Sequence, residues 1–498
     1  NRRTGYSREV NPYPWFYSGE PSSAVPERWQ WTFPILFSKA DSKLLFTSSQ
    51  RLWKTTNGGL AWTAISGDLT RHDPSTMGES GGPITGDMNG PEMYAVIFSV
   101  APGKRNTNVI WTGSDDGLVH VTKDGGKNWT NITPKDLPDF ARVSQMDASQ
   151  FDDGTAYFSA RRPLMDDRSP YLYRTHDYGK TWTKIVNGIR KDDWMHAIRE
   201  DPTRKGLLYA GGQHGMYISY NDGDTWESLR LNMPDVPISD IVVEDNDLVI
   251  ATHGRGFYIL DNIGPMRQYN TEVAAAPNAW LFSPPPAMRT ATGANFTYWL
   301  KTPTSRVTVD VLDSTNNVVR SFAPPAPGAA GGRGGGGGGR GGFTAPTTNQ
   351  IGLNRYTWDL RYESAVTFPG MIFWGASTAG PLAPPGTYKV RLTADGYTQT
   401  QSFKVVRNPF FADVSDADLR AQFALSIQIR DKVNEANQAV IDARRVKDDA
   451  ADRLKQANDA KLKETGDRLT TNLSDVEDDV YQVKNQSGQD PLNFPIRI

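Results

Sequence analysis

Carboxylates and aromatic or basic side chains recur in the segments between predicted strands, where they could act on a sugar. A glycoside hydrolase needs two carboxyl groups about 5–10 Å apart across the scissile bond, one as the acid and one as the base or nucleophile. An aromatic ring beside them would stack on the sugar. The candidate catalytic residues are Glu92, Asp115, Asp116, Asp193 and Asp240. The candidate substrate-binding residues are Trp194, His196, His214, His253 and Arg255.

The same residues fit two other classes of function. A binding module needs only a concave polar and aromatic surface for a glycan or a peptide ligand. In a structural or assembly protein, each Asp would be a turn residue that bonds its own backbone. The His and Arg would then be ordinary satisfied polar residues. The sequence leaves these three functions open.

An octet that occurs four times defines the elements that position these residues. Its pattern is Ser/Thr-x-Asp/Asn-x-Gly-x-x-Trp, and the copies end at Trp62, Trp129, Trp182 and Trp226. Asp or Asn bonds its own backbone and Gly supplies a positive φ, so the octet predicts a hairpin turn. The Trp is expected to pack back over that hairpin. With the apolar run before each octet, the pattern predicts four-stranded units, which are typical of β-propeller blades.

Five such units are visible between Trp29 and Gln268, the fifth without an octet. In a blade, the connection between strands two and three lies on the same face as the connection to the next blade. The octet turn lies on the opposite face. All ten candidate residues fall either between strands two and three of a blade or between one blade and the next. They are therefore predicted to share one face. Segments 70–91 and 161–169 are predicted to be long loops at its rim.

The octets resemble the Asp-box (BNR) repeats of sialidases, xyloglucanases and sortilin-type receptors. Segments 80–85, 113–120, 199–202 and 251–257 are similar to a family of large exported bacterial proteins labelled glycosyl hydrolase or sortilin-like repeat protein. The resemblance implies a secreted protein of the extracellular space, periplasm or cell envelope that interacts with carbohydrate. It also implies that this chain is the C-terminal half of a longer one. Neither the Arg triad of a sialidase nor the catalytic pattern of a xyloglucanase is recognisable.

Five blades leave open sheet edges, which proteins avoid. Residues 1–12 are interpreted as the outer strand of a sixth blade whose inner strands are missing. We therefore predict that a missing N-terminal propeller segment or a partner chain completes the ring.

Two regions follow the propeller, which is predicted to occupy residues 1–268. Residues 278–407 contain strands that alternate at period two and predict a β-sandwich of immunoglobulin or fibronectin type, with a Gly-rich loop at 326–343. Residues 412–490 predict an α-helical hairpin. Its first helix begins with a capping box at Ser415, and the break between the helices is expected at Thr465-Gly466.

The composition excludes several classes of function. The chain has 54 Lys and Arg against 56 Asp and Glu, a net charge of −2, which argues against nucleic-acid binding through phosphates. It has no Cys, which excludes thiolate metal sites and Cys nucleophiles. No apolar run is long enough to predict a membrane span. No cofactor is expected, and a structural Ca²⁺ at Asp166-Asp167 is the one ion kept open.

Overall fold

The computed structural model describes residues 4–15, 18–82, 84, 86–304, 306–323, 347–373, 377–456 and 459–497. The chain forms two compact units, Asn1–Ile263 and Gly264–Ile498, each considered by itself. The mainly β fold with a propeller and a C-terminal helical hairpin is confirmed. The Gly-rich loop predicted at 326–343 lies outside the described residues. In the part of the chain that is described, no helix is long and apolar enough to cross a bilayer.

Five antiparallel sheets follow one another in the described part of the first unit, each pairing consecutive strands as a propeller blade does. Blade 1 contains β1 (Ile35–Phe37), β2 (Leu45–Ser48), β3 (Leu52–Thr55) and β4 (Thr63–Ala64). Blade 2 contains β5 (Ile97–Pro102), β6 (Ile110–Ser114), β7 (Val119–Thr122) and β8 (Thr130–Asn131). Blade 3 contains β9 (Arg142–Ala148), β10 (Ala156–Arg162), β11 (Asp167–Thr175) and β12 (Thr183–Lys184).

Blade 4 contains β13 (Met195–Glu200), β14 (Leu208–Gly212), β15 (Met216–Ser219) and β16 (Glu227–Ser228). Blade 5 contains β17 (Ile238–Glu244), β18 (Asp247–Thr252) and β19 (Phe257–Leu260). Its sheet has three strands among the described residues, in keeping with the missing octet that would lead to a fourth.

The second strand of an interior blade is buried on both faces, which explains its continuous apolar sequence. In β10, Phe158 belongs to a core shared with Trp111 of blade 2, whereas Tyr157 belongs to a core shared with Leu208 of blade 4. Successive side chains of a strand point to opposite faces, so one strand contributes to both interfaces. Propeller cores therefore lie between blades rather than within them.

Each octet forms the predicted turn. In the third copy, the Thr175 hydroxyl accepts the Gly179 amide at 3.0 Å, and the Asp177 carboxylate accepts the Thr181 amide at 2.9 Å. The Trp, however, also contacts the preceding blade. The Trp182 indole N–H donates to the Ile132 carbonyl of the preceding blade at 2.7 Å. Trp129 and Trp226 do the same at 2.9 and 2.8 Å, with Ile65 and Ile185 respectively.

Trp62 in blade 1 makes the corresponding bond to the Val10 carbonyl at 2.6 Å. Val10 thus occupies the position that Ile65, Ile132 and Ile185 hold after the outer strands of other blades. The prediction of an outer strand at residues 1–12 is nevertheless wrong for the described residues 4–15, which form no strand. An outer strand pairs with the third strand of its own blade, and residues 4–15 have no such strand beside them.

The second unit begins with α1 (Gly264–Gln268) and α2 (Thr271–Ala275), followed by two sheets. One sheet contains, in spatial order, β20 (Ala279–Leu281), β22 (Ala294–Leu300) and β25 (Gly352–Trp358). The other contains β21 (Ala287–Met288), β27 (Tyr397–Val406), β26 (Gly386–Ala394), β23 (Val307–Leu312) and β24 (Val318–Phe322). Their inner faces share one core, which includes Phe296, Trp358 and Val390, so the sheets form a β-sandwich.

The helical hairpin consists of α3 (Asp416–Gln456) and α4 (Ala460–Val480). The capping box at its start is present: the Ser415 amide donates to Asp418 at 2.9 Å and the Asp418 amide to the Ser415 hydroxyl at 3.2 Å. The predicted break at Thr465-Gly466 is wrong, because both residues lie inside α4. A Cβ on Gly466 would come within 2.4 Å of the Leu454 side chain. This Gly permits close approach of the two helices rather than ending one.

Candidate functional site

Nine of the ten predicted site residues lie at one face of the propeller unit, which we call the upper face, and Asp240 lies deeper, in the central cavity. The upper face is formed by the ends of the second strands β2, β6, β10, β14 and β18 and by the starts of the inner strands β1, β5, β9, β13 and β17. Asp115, Asp116, His214, His253 and Arg255 follow second strands. Glu92, Asp193, Trp194, His196 and Asp240 precede or begin inner strands.

Asp115 and Asp116 are adjacent and buried, and most of their oxygens are engaged. One Asp115 oxygen accepts the Val96 amide at 2.8 Å, whereas Oδ2 is buried without a partner. Asp116 accepts the Ser114 hydroxyl at 2.6 Å and the Arg71 amide at 2.8 Å. Burial, followed by the neighbouring Asp116 charge, raises the pKa of Asp115 to about 7. Burial also raises the pKa of Asp116.

The bond from Arg71 fixes the start of the predicted rim segment 70–91 to blade 2. Pro74–Thr76 in this segment form a short 3-10 turn. The other predicted rim loop, 161–169, is wrong in length. Arg162 pairs with Asp167 across the ends of β10 and β11, so the turn that remains is centred on Pro163–Met165.

Asp193 is a structural residue of blade 4. It is fully buried, accepts the His214 amide at 3.0 Å and accepts the Tyr217 hydroxyl at 2.7 Å. The His214 ring in turn contacts Asp235 at 2.9 Å and meets the edge of Trp194, with ring centroids 6.3 Å apart. These contacts hold the β14–β15 connection against the start of β13, and they leave the half-buried Trp194 ring on the upper face.

Asp240 and Glu92 also have partners. Asp240 lines the central cavity between the inner strands, where its carboxylate accepts bonds from Gln145 and from Arg199, the latter at 3.1 Å. Glu92 is exposed and accepts the Trp31 indole N–H at 2.8 Å. All five predicted carboxylates are therefore hydrogen-bonded to groups of the protein itself.

His196 contacts one of two arginines, Arg142 and Arg161, that the sequence did not predict as site residues. Its Nδ1 lies 2.7 Å from an Arg161 nitrogen of blade 3, and its Nε2 lies 3.2 Å from the Gln213 carbonyl oxygen. A guanidinium can only donate, so Nδ1 accepts and the ring proton stays on Nε2. Burial, followed by the Arg161 charge, lowers the pKa of His196 to about 4, so the ring is neutral at pH 7.

Arg161 stands directly opposite Arg142 in the β9–β10 register. The Arg142 guanidinium lies over the Phe98 ring, 4.7 Å from its centroid. Sequence reasoning missed both residues because an Arg at a strand end resembles any surface Arg. Only the strand register shows that the two lie opposite each other on neighbouring strands. His253 and Arg255 lie in the connection between β18 and β19 of blade 5 and are exposed.

Within the described ranges, no three His, Asp or Glu side chains converge to hold a metal ion. Asp166 and Asp167, the candidate residues for a structural Ca²⁺, have separate roles. Asp166 closes the turn between β10 and β11 in a left-handed conformation, and Asp167 accepts the Tyr171 hydroxyl at 2.7 Å.

A scan against known protein families and a search of curated proteins found no match. Several solved structures are similar in part. The GH74 xyloglucanase from Xanthomonas campestris is 14% identical, with a TM-score of 0.34 over 56% of this chain and 43% of its own. PorZ, a surface component of the type-IX secretion system of Porphyromonas gingivalis, is 12% identical, with a TM-score of 0.34 over 75% and 51%. YCF48 bound to D1 peptide is 18% identical, with a TM-score of 0.31 over 54% and 78%. The chain thus spans about half the length of the first and second of these proteins, and likeness at this level carries no function from them to it.

Proposed function

We propose that this chain is a non-catalytic glycan-binding segment of an Asp-box (BNR) propeller, exported to the cell surface or the extracellular space. The observation that carries the proposal is that the candidate carboxylates already accept hydrogen bonds from the protein itself. Asp116 and Asp193 accept hydrogen bonds on both oxygens, and Asp240 and Glu92 are bonded to neighbouring side chains. A hydrolase instead needs a carboxyl pair that is free to face the substrate.

The Asp-box assignment is supported by the octets, whose hydroxyl, carboxamide or carboxylate and Gly groups make the same bonds in all four copies. The export assignment rests on the sequence resemblance of these repeats. Glycan binding is supported by the half-buried Trp194 ring on the upper face, because a sugar can stack on the accessible part of an indole.

The test is affinity electrophoresis of the whole chain in gels that contain a panel of polysaccharides. We expect retardation by at least one polysaccharide without release of reducing ends. We also expect Trp194→Ala to weaken retardation, whereas Trp15→Ala, which removes an exposed Trp beside β1 at the blade 1 end, does not. A chain that no polysaccharide retards would contradict the proposal.

A hydrolase is the second candidate, and one observation favours it. A general acid needs a raised pKa, and that of Asp115 is about 7. Against it, Asp115 is 1% exposed, so its proton has no path to a substrate in this conformation. Release of reducing ends that is lost in Asp115→Asn would establish the hydrolase and overturn the binding proposal.

We further propose that additional propeller blades, on another segment or a partner chain, cover the two ends of the five-blade arc. At the blade 1 end, Ile35 and Phe37 are 65% and 61% exposed. At the blade 5 end, Phe257 and Ile259 are 77% and 60% exposed. The equivalent faces of interior blades are buried, and apolar patches of this kind mark interaction surfaces.

A further inference from the structure

The Arg142–Arg161 pair is electrostatically unfavourable in the structure as it stands. The two residues are directly opposed in neighbouring strands, and like charges at such positions are destabilising. Among the described residues, neither guanidinium lies within 4 Å of a carboxylate. Other partly buried arginines of the same unit do have such partners. Arg28 pairs with Asp68 at 2.6 Å, and Arg199 pairs with Asp240 at 3.1 Å.

The surroundings do not supply the missing negative charge. Arg142 is covered by the Phe98 ring, and Arg161 donates to the neutral His196. Asp115 lies within electrostatic reach of Arg142, but burial raises its pKa, so its carboxyl is a weak source of negative charge near pH 7. Burial, followed by the Arg142 charge, lowers the pKa of Arg161 to about 10, which still leaves the group charged at pH 7.

Arg161 is pre-oriented by the neighbouring blade. His196 accepts one of its N–H groups and is itself held by Gln213, so the guanidinium is fixed in place before any ligand arrives. A guanidinium has five N–H donors, and the described contacts of Arg161 use one of them. Planar guanidinium groups match the geometry of a carboxylate, to which they donate two parallel hydrogen bonds.

We propose that Arg142 and Arg161 form a binding site for the carboxylate of an acidic sugar, such as a uronate residue of a polysaccharide. The proposal rests on the proposed glycan-binding function and specifies its ligand. The sugar class is favoured because Trp194 is close by. Gln213, which holds His196 through its side chain, also donates its backbone N–H to the Trp194 carbonyl at 3.1 Å. An acidic sugar could thus place its carboxylate on the arginines and its ring near the indole.

The experiment compares binding of the whole chain to polygalacturonate and to its fully methyl-esterified form, which keeps the backbone and removes the charge. We expect polygalacturonate to bind more tightly by roughly ten- to a hundred-fold, the range for one charge-assisted hydrogen-bonding pair. Arg161→Gln and Arg142→Gln should abolish this preference. The matched control is Arg168→Gln, which removes the same charge from an exposed position of the same blade and should retain the preference.

Thermal unfolding of the same variants provides a second readout. Arg161→Gln and Arg142→Gln each remove one of two opposed cations, so we expect Tm to stay equal or to rise. A large fall in Tm would show that the arginines serve the fold, and it would overturn the proposal.

The remaining outcomes separate the two proposals. Equal binding of the charged and esterified polymers would overturn the carboxylate site and leave glycan binding intact. Binding of neither polymer, nor of any other polysaccharide in the panel, would overturn both. Binding of poly-glutamate that depends on Arg161, without binding of polygalacturonate, would replace the acidic sugar with an acidic peptide and overturn the sugar assignment.

Discussion

Asp192 and Asp193 are neighbours in sequence, but their side chains differ completely in environment. Asp193 is fully buried and accepts bonds from His214 and Tyr217, whereas Asp192 is exposed and pairs with Arg190. Asp193→Ala leaves a buried amide and a buried hydroxyl without an acceptor. We expect it to lower the free energy of unfolding by about 1–3 kcal/mol per unsatisfied group.

Asp192→Ala is the control and should cost about 0–1 kcal/mol, as exposed ion pairs do. Both values would be measured by urea unfolding, with Asp193→Asn as a milder variant that keeps one acceptor. Equal losses for the two Ala variants would show that Asp193 is not the structural residue described above.

The raised pKa of Asp115 predicts that the stability of the fold depends on pH. The pKa of this residue in the folded protein, about 7, lies above the ordinary value of 3.8, so the folded state binds the proton more tightly than the unfolded state. Its contribution to stability is therefore full below pH 4 and is lost as the pH rises towards and through 7. Asp115→Asn stays neutral and should remove this loss.

The measurement is the difference in Tm between wild type and Asp115→Asn across pH 4 to 8, because the difference cancels the titration of carboxyls that do not interact with Asp115. We expect the variant to gain on the wild type as the pH rises. Parallel profiles would mean that Asp115 titrates normally in the folded protein.

At the scale of elements, Gly is required in the octet for two reasons: its left-handed backbone and its close contact with the preceding blade. Gly179 has a φ of +77°, and a Cβ there would lie 2.4 Å from the Ile132 side chain. Gly254 has a φ of +96°, with open space where a Cβ would be. We expect Gly254→Ala to cost roughly 1–2 kcal/mol for its left-handed backbone. Gly179→Ala should cost about 1–3 kcal/mol more, because it also crowds the blade interface.

Equilibrium unfolding in urea would give both values. A Gly179→Ala variant no less stable than Gly254→Ala would show that the octet turns do not set the spacing between blades.

The sequence predicted those features of the fold that depend on local chemistry. The octet turn is encoded by a hydroxyl, a carboxylate or amide and a Gly within five residues, so the turns and the blades were predictable. The partner of each Trp was not, because Ile132 and Trp182 meet only when two blades pack. The sequence around Gly466 wrongly predicts a helix break for the same reason, because the contact of Gly466 with Leu454 lies outside any local window.

In the candidate site, too, local sequence predicts some features, whereas others depend on tertiary contacts. Strand order alone predicted that the ten residues share one face, and nine of them lie there, whereas Asp240 lies in the central cavity. Whether Asp193 is free or engaged depends on Tyr217, which lies 24 residues away. The opposition of Arg142 and Arg161 depends on the pairing of β9 with β10. Patterns at the ends of strands therefore locate a face, whereas tertiary contacts decide which of its residues are available.

At the scale of the whole propeller unit, exposed apolar side chains lie at both ends of the arc. Beside the exposed β1, an apolar groove is lined by Val10, Tyr13, Trp15, Trp31 and Trp62. Val10 already accepts the bond from Trp62 that the residue after an outer strand accepts in the other blades. The groove therefore resembles one half of an interface between two blades. A further blade would supply the other half.

If further blades cover these ends, the chain by itself should associate through them. We expect concentration-dependent self-association in sedimentation velocity, and binding of an apolar fluorescent dye. Phe37→Lys combined with Phe257→Lys should reduce both, because a charge at each end opposes burial against an apolar partner. Leu164→Lys is the control, since Leu164 is 88% exposed but lies in the turn between β10 and β11, away from both ends. A chain that is monomeric and dye-free at all concentrations would show that the ends of the arc do not recruit further blades.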